Sequence, residues 1–356
     1  MKIIHLVSNK SWGGGEQYVL DLAREQRRHG HEVAIVSRRV EAVAGRFASE
    51  GFPVVTMPLK GTIDIISPLP LSRCIAKAGN AVIHVHNFKD AIVATRARSL
   101  SGNNGIRIIL TRHLVKAAGR SRHYTSLYRQ IDAMIFVSRL AMDEFLSSRP
   151  DVNTDSMTVI HNGVAIPEVS PAPTAGKDTL TVMYHGRISH EKGIDTLINA
   201  LSLVKELPLK AVIAGTGKPE YVATLRRQAA LAGVDDIIEW AGHVDDIHPL
   251  IAAADIGVAP SRARESFGLA TVEYMAHGKP VITTSNGAQR EYITDGVDGL
   301  LVAPDSPEQI AGAIRQLVAD RDLMERIGTA ARATALERLS FERFYREIMG
   351  VYQKIL

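Results

Sequence analysis

The sequence predicts an α/β protein made of two doubly wound parallel-sheet domains in series. Three observations carry that expectation. Short apolar runs rich in β-formers alternate with amphipathic stretches in the first half of the chain. The alternation breaks at residues 167–177, PEVSPAPTAGK, which hold three prolines and no periodicity. It then restarts and runs on. Strand–helix alternation implies parallel βαβ units, and an aperiodic proline-rich stretch implies a linker.

The elements follow in order. KIIHLVS (2–8) reads as the first strand. GEQYVLDLAREQRRHG (15–30) places apolar residues at 18, 19, 20, 22 and 23, then a charged tail and a glycine, which marks a helix ending at Gly30. HEVAIVS (31–37), PVVTM (53–57), AVIHVH (81–86), RIILT (107–111) and AMIFVS (133–138) are the next strands. Beyond the break, TLTVMYHG (179–186), LKAVIAG (209–215), DIIEWAG (236–242), DIGVAP (255–260), KPVITT (279–284) and GLLVAP (299–304) continue the series, and residues 306–356 are helical in pattern. The expected bounds are 1–168 for the first domain, 169–338 for the second, and 339–356 for a terminal helix crossing back to the first. The two domains are expected to face a cleft, with ligands at the carboxyl ends of the strands.

Composition narrows the function classes. The 356 residues are 46% hydrophobic, enough for two cores, and the single cysteine, Cys74, fits a reducing compartment. No stretch reaches the roughly 18 uncharged apolar residues of a membrane span. The first residues lack the apolar core and cleavage site of a signal peptide, so a cytoplasmic protein is expected. Net charge is +4, unevenly spread: residues 1–168 carry 22 Lys and Arg against 14 Asp and Glu, the remainder 20 against 24. Arg96, Arg98, Arg107, Arg112, Lys116, Arg120, Arg122 and Arg129 fall in one stretch, which suits an anionic membrane surface or a lipid-linked or phosphorylated acceptor. A nucleic-acid partner is not expected, because aromatic residues are only 5% and none interleave with a basic motif.

The strand ends hold the candidate site residues. SNKSWGGGEQ sets Gly13, Gly14 and Gly15 just ahead of a helix, a cradle for a phosphate or a sugar. It is not GxGxxG, and no acid ends the second strand, so a nicotinamide dinucleotide is not expected. His84 and His86 alternate and are expected on opposite faces of their strand, one toward the cleft and one packed. Without a cysteine or carboxylate at ligand spacing, they predict no metal site. RIILT runs into Arg112 and His113, and a histidine there suits a proton carrier or a sugar-hydroxyl partner. In HGRISHEKGID, Gly186 precedes Arg187, and Arg187 and Lys192 flank the turn into the next helix, where two cations suit a pyrophosphate. AGTGKPE and AGHVDDI bring small residues, with His243 and Val244, to the cleft lip, where a base or ribose would lie.

SRARESFGLATVEYMAHGKP (261–280) is the most informative stretch. A helix is expected from Gly268, with Glu265 at its mouth and Glu273 in its first or second turn. This spacing is not the twin-carboxylate dyad of a hydrolase. The amides around Phe267, Gly268 and Leu269 suit a phosphate, and each glutamate suits neutral hydroxyls. A ligand with phosphates in the middle and hydroxyls at both ends is a sugar nucleotide.

On these residues the chain resembles the retaining glycosyltransferases of the GT-B type, family 4 in particular. The family's E-x7-E stands as ESFGLATVE, followed by YMAHGKPVITT and DGVDGLLVAP; GGGEQYVLDLA, HNGV (161–164) and GRISHEKGID also match in place and order. The likeness covers nearly the whole chain. It implies two Rossmann-like domains and transfer of a sugar, with retention, from a UDP- or GDP-linked donor to a hydroxyl of a glycan or lipid-linked acceptor. It also implies work without a metal or other cofactor, commonly in bacterial surface polysaccharide or lipopolysaccharide synthesis. Position by position, Glu265 would bind donor-sugar hydroxyls and Glu273 the ribose. Arg187 and Lys192 would bind the diphosphate, helped by Gly186 and the amides of Ser266 to Leu269. His113 would meet the donor sugar, and Gly14 and Gly15 the diphosphate or the acceptor. Two positions depart from the pattern: His277 replaces a small residue or cysteine before GKPV, and Gly287-Ala288 replaces a double glycine. Two alternatives remain. A sugar-nucleotide epimerase of the same fold needs first-half carboxylates at strand ends, where only Glu16 and Asp90 stand, both in helix starts. A non-catalytic sugar-nucleotide-binding protein would be favoured by loss of Glu265 or Arg187, and both are present.

Overall fold

The structure is a computed structural model that describes residues 1–61, 64–168 and 177–356. Most of the expected linker, residues 169–176, therefore lies outside the described residues. The chain forms two compact units: Met1–His161 together with Phe344–Leu356, and Asn162–Arg343.

Among the described residues, the first unit carries a seven-stranded parallel sheet. Its strands are β1 (Lys2–Val7), β2 (Glu32–Arg38), β3 (Val54–Met57), β4 (Ala81–Val85), β5 (Ile106–Arg112), β6 (Ala133–Phe136) and β7 (Met157–Val159), in the order β3-β2-β1-β4-β5-β6-β7. The helices between them are α1 (Gly14–Arg28), α2 (Glu41–Ser49), α3 (Pro68–Ile75), α4 (Phe88–Ser101), α5 (Arg122–Tyr128) and α6 (Arg139–Ser147). The second unit repeats the plan with β8 (Leu180–His185), β9 (Leu209–Ala214), β10 (Ile238–Gly242), β11 (Ile256–Ala259), β12 (Val281–Thr284) and β13 (Leu300–Val302), ordered β10-β9-β8-β11-β12-β13. Its helices are α7 (Ile194–Ser202), α8 (Pro219–Ala232), α9 (His248–Ala253), α10 (Leu269–Ala276), α11 (Pro307–Ala319) and α12 (Arg321–Arg338), and α13 (Phe341–Ile355) ends the chain. Both are Rossmann-like doubly wound sheets. Helices cover both faces, so the central strands are apolar on both sides, with Ile83, Ile108 and Ile109 in one unit and Val182 and Ile213 in the other wholly buried.

The order reverses beside β1 in the first unit and beside β8 in the second, and such switch points are where open α/β sheets leave a crevice outside their strand ends. One strand escaped the sequence pattern: β7 is only three residues long and lies at the sheet edge. The start of DIIEWAG is a 3₁₀ turn, Asp235–Ile237, rather than strand.

The unit boundaries fall a few residues from the expected 168/169 and 338/339, for a local reason. The Val164 amide donates to the Leu339 carbonyl at 3.0 Å, and the Phe341 amide donates to the Val164 carbonyl at 3.0 Å, which ties the segment from Asn162 to the second unit. α13 packs Phe344, Ile348 and Tyr352, one helical stripe, into the first unit. Tyr352 Oη lies 2.6 Å from Nδ1 of His84 and accepts from Gln26 Nε2 at 3.3 Å, so the polar end of that stripe is satisfied inside the core.

Candidate functional site

In the second unit, the turn after β8 and the loop after β11 are held together by ion pairs and by backbone in direct contact. Arg262 is the main fastener. Its guanidinium makes a two-pronged contact with Asp195 at 2.6 Å on each oxygen, reaches Asp305, and donates to the His190 carbonyl at 2.9 Å. Those partners raise its pKa above the ordinary arginine value, so it stays charged. Gly193 sits at φ +67° against the Pro260 carbonyl, and a Cβ there would run into that oxygen.

This frame places Lys192 and Glu265 side by side, with Nζ 2.5 Å from Oε1. Ser261 Oγ donates to the same carboxylate oxygen at 2.6 Å. An ammonium has three N–H donors, so Lys192 keeps donors for an anion while it holds Glu265. Arg187 stands exposed in the turn after β8, its carbonyl accepting from Tyr184 Oη at 2.8 Å. Gly186, at φ +136°, starts this turn.

α10 begins at Leu269 behind Gly268, which adopts φ +90° as its N-cap. The first amides of a helix have no intrahelical acceptor, so this end favours an anion. Ser266 is half-buried, whereas the Phe267 ring is packed against Tyr292 with centroids 5.4 Å apart. A role for Phe267 toward a ligand therefore falls to its backbone. Glu273, one turn into α10, is 2.5 Å from His185 Nε2 at the end of β8. Burial pushes its carboxyl up, but His185, by hydrogen bond and by charge, together with His248 and His277, outweighs that and holds it below the ordinary range. Glu273 is a fixed carboxylate with its second oxygen available to a hydroxyl.

His243 and Val244 follow β10 in a loop whose His243 is exposed and 3.3 Å from Asp245. The loop is tied toward the Gly186 turn through Gly215, whose amide donates to the Gly242 carbonyl at 2.6 Å. His277 pairs with His248 across 3.0 Å, and burial, with the nearby His248 and Lys279, lowers its pKa to about 4.

Sequence reasoning missed two residues here. His185 opens the HGRISHEKGID stretch but is given no role there, although its place at a strand end could have drawn attention. Gln289 is wholly buried beside Gly268 and Gly287, with both amide atoms unpartnered.

The first unit places its candidates around the ends of β1, β4 and β5. Gly14 opens α1 and Gly15 follows it; both are exposed, and a Cβ at Gly15 would meet nothing within 4 Å. His84 and His86 do not face opposite ways. Residues two apart on a strand share a face, and their rings lie 4.2 Å apart. His5 joins them, Nδ1 to His86 Nε2 at 3.0 Å and Nε2 to Gln26 at 2.8 Å, while His84 Nε2 bonds Thr111 at 2.7 Å. These three histidines bring ring nitrogens within 4.8 Å of one another, a grouping that the strand-by-strand reading did not foresee. Every nitrogen of the three except His86 Nδ1 already has a protein partner. His113 is half-buried against Tyr18, its Nε2 unpartnered, and burial lowers its pKa to about 4. It is a neutral imidazole near pH 7, suited to hydrogen bonding rather than to carrying a proton.

Among the described residues the basic stretch divides: Arg120, Arg122 and Arg129 line one cavity together with Asp151, and the other members go elsewhere. Arg98 pairs with Asp132 and Arg129 with Asp151, each at 2.5 Å, and Arg107 holds the Ile355 carbonyl at 2.8 Å. Arg112 and Lys116 instead line a cavity of about 670 Å³ at the strand ends.

Comparison with known proteins matches residues 12–166 to the model of Glycosyltransferase Family 4 and residues 166–334 to that of Glycosyl transferases group 1. The chain is similar to the lipopolysaccharide core biosynthesis mannosyltransferase LpcC of Rhizobium leguminosarum bv. viciae, at 32% identity over 70% of this chain and 75% of that one. It is also similar to the phosphatidyl-myo-inositol mannosyltransferase of Mycobacterium leprae, at 29% identity over 96% and 93%. Among solved structures, Anabaena Alr3699/HepE in complex with UDP superposes with a TM-score of 0.86 at 22% identity, covering 99% of this chain and 100% of that one, a likeness of fold.

Proposed function

Since the chain belongs to the family 4 glycosyltransferases, enzymes of the GT-B fold that take a sugar from a nucleotide-sugar donor, we propose that its second unit holds a UDP- or GDP-linked donor around Lys192, Glu265 and Glu273. The observation that carries this reading is the pair of anchored carboxylates flanking the N-terminus of α10, one fixed by Lys192 and Ser261 and the other by His185. An anion belongs between them and hydroxyls at either side. Glu273 accepts from the ribose and Glu265 from the sugar. Lys192, Arg187, Gly186 and the amides of Ser266 to Leu269 take the diphosphate, with His243 and Val244 toward the base. For the first unit, the proposed ligand contacts are His113, Gly14 and Gly15.

Charge grows on the leaving diphosphate as the glycosidic bond breaks. Preorganised cations and helix amides stabilise it where it develops. The anomeric centre becomes oxocarbenium-like, the acceptor hydroxyl attacks from the departing face, and the leaving phosphate takes its proton, so configuration is retained without a protein nucleophile. The acceptor is a glycan or lipid-linked hydroxyl of a bacterial surface polysaccharide or lipopolysaccharide. That reading is supported by relatives named for lipopolysaccharide core and phosphatidyl-myo-inositol mannosyl transfer. The excess positive charge of residues 1–168 suits docking at an anionic membrane.

A thermal-shift screen against UDP-, GDP- and ADP-sugars tests the donor. A ligand at about 100 times its Kd adds roughly 2.7 kcal/mol of stability, and no shift with any of them refutes the assignment. Co-sedimentation with anionic but not neutral vesicles, lost at high salt, supports docking; equal negligible binding to both refutes it.

A further inference from the structure

The cavity of about 670 Å³ in the first unit is walled by the segments that follow β1, β3, β4 and β5, with Arg38 from the end of β2. Six cations line it: Lys10, Arg38, Lys60, Lys89, Arg112 and Lys116. No carboxylate among the described residues does. The lysines are exposed toward the opening, while Arg38 and Arg112 are half-buried. Deeper in, three polar atoms have no partner: Nε of Arg112, Nε2 of His113 and Nδ1 of His86. Arg112 spends one amino group on the Lys116 carbonyl at 3.1 Å and lies over the Phe145 ring at 4.9 Å, which fixes its plane.

Like charges crowded into one concavity repel, and a buried polar atom without a partner is costly. The repulsion falls away if a multiply charged anion enters, and Arg112, with a donor to spare, stands in the same wall. A carboxylate would neutralise one of the cations, whereas a phosphoryl or diphosphoryl group matches several at once. It suits the point charges of lysine and the planar fork of arginine. The other wall is aromatic: Phe88 lies 4.9 Å from Tyr124 and 5.5 Å from Tyr128, ring to ring. Such a wall takes the face of a sugar ring or the first carbons of a lipid chain.

We propose that this cavity recognises a phosphate or diphosphate carried by the acceptor, so that the acceptor substrate is a phosphorylated molecule. The inference rests on the donor assignment above only in naming the occupant an acceptor. The anion site is carried by the first unit's own residues.

Calorimetry on the full chain tests it, with inorganic diphosphate as the probe and UDP or GDP present at saturation to fill the donor site. Wild type is expected to bind the probe. Lys60→Ser with Lys89→Ser, and independently Lys116→Ser, are expected to weaken it about tenfold or more while nucleotide affinity stays as in wild type. These side chains are exposed, and melting curves confirm that the variants fold. Absence of diphosphate binding beside bound nucleotide, or unchanged binding in both variants, overturns the proposal. Failure of any nucleotide to bind overturns the donor assignment instead, and the variants then still read the cavity with diphosphate alone. A short-chain alkyl diphosphate and a sugar 1-phosphate separate the two sources. Tighter binding of the first marks a lipid headgroup, tighter binding of the second a soluble phosphorylated sugar, and binding of neither overturns the proposal.

Discussion

Replacing Glu273 by glutamine keeps the side chain's shape and removes its charge. In the structure one carboxylate oxygen is 2.5 Å from His185 Nε2, which leaves the other for a ribose hydroxyl. The carboxylate is held ionised, below the ordinary range, by the histidines around it. A hydrogen bond to a charged group contributes roughly 1.5–3 kcal/mol, so Glu273→Gln should weaken nucleotide binding about ten- to hundredfold. Glutamine can still accept from the histidine through its carbonyl oxygen, so the fold should lose no more than about 1 kcal/mol, the worth of an ordinary hydrogen bond. Titration calorimetry of UDP and GDP into the full chain reads the first effect and a melting curve the second. His185→Ala should act in the same direction but more weakly, because the carboxylate remains and only its anchor is gone. Wild-type affinity for both nucleotides in Glu273→Gln, in a protein that melts normally, would refute the reasoning.

Two further outcomes are expected. Asp90 is 1% exposed, and burial raises its pKa from 3.8 to about 7 against the opposing hydrogen bonds from Ser8 and Asn87. The folded state therefore holds this proton more tightly than the unfolded state, and stability declines as pH rises from about 4 through about 7, by an amount of order 4 kcal/mol. Asp90→Asn should melt higher than wild type at pH 8 and lose that advantage at pH 5. The histidines that titrate in the opposite sense are common to both proteins and cancel in the difference, so a difference in melting temperature independent of pH would show that Asp90 ionises normally. Sugar transfer should also survive chelation, because the proposed donor contacts are cations, amides and carboxylates already paired with protein groups. Activity lost in EDTA and restored by magnesium or manganese would contradict this.

The two sheets were legible because a strand buried on both faces must be a short apolar run, and runs such as AVIHVH and LKAVIAG have no other use in a chain with so many of them. β7 was not legible, since three residues at an edge leave no pattern. Lys192, Glu265 and Glu273 could be chosen from their places at strand and helix ends, and the structure brings Lys192 and Glu265 together. The partners that fix them were hidden because they come from other strands: His185 stands 88 positions before Glu273. The histidines failed for a different reason. His84 and His86 share a face by the period of a strand, and His5 joins them through the parallel register that pairs it with His84, which a single strand does not reveal. The cavity's cations are likewise scattered from Lys10 to Lys116, and of the linear basic cluster only Arg112 and Lys116 are among them, because the others sit on different loops and helices.

The stripe of α13 has a bearing on how the chain is made. Phe344, Ile348 and Tyr352 are buried in the unit that Met1–His161 begins, and His84 is held by Tyr352 on one nitrogen and Thr111 on the other. On the ribosome the first unit emerges first and stands without α13 until the end of synthesis. The second unit, Asn162–Arg343, is whole earlier. At a synthesis rate of about 5–20 residues per second, the unfinished first unit waits roughly ten to forty seconds for its last helix. Through that interval the slot for α13 is open, and His84 Nδ1 lacks its Tyr352 partner. A nascent chain in that interval presents uncovered apolar surface, the kind of surface on which incompletely folded chains aggregate.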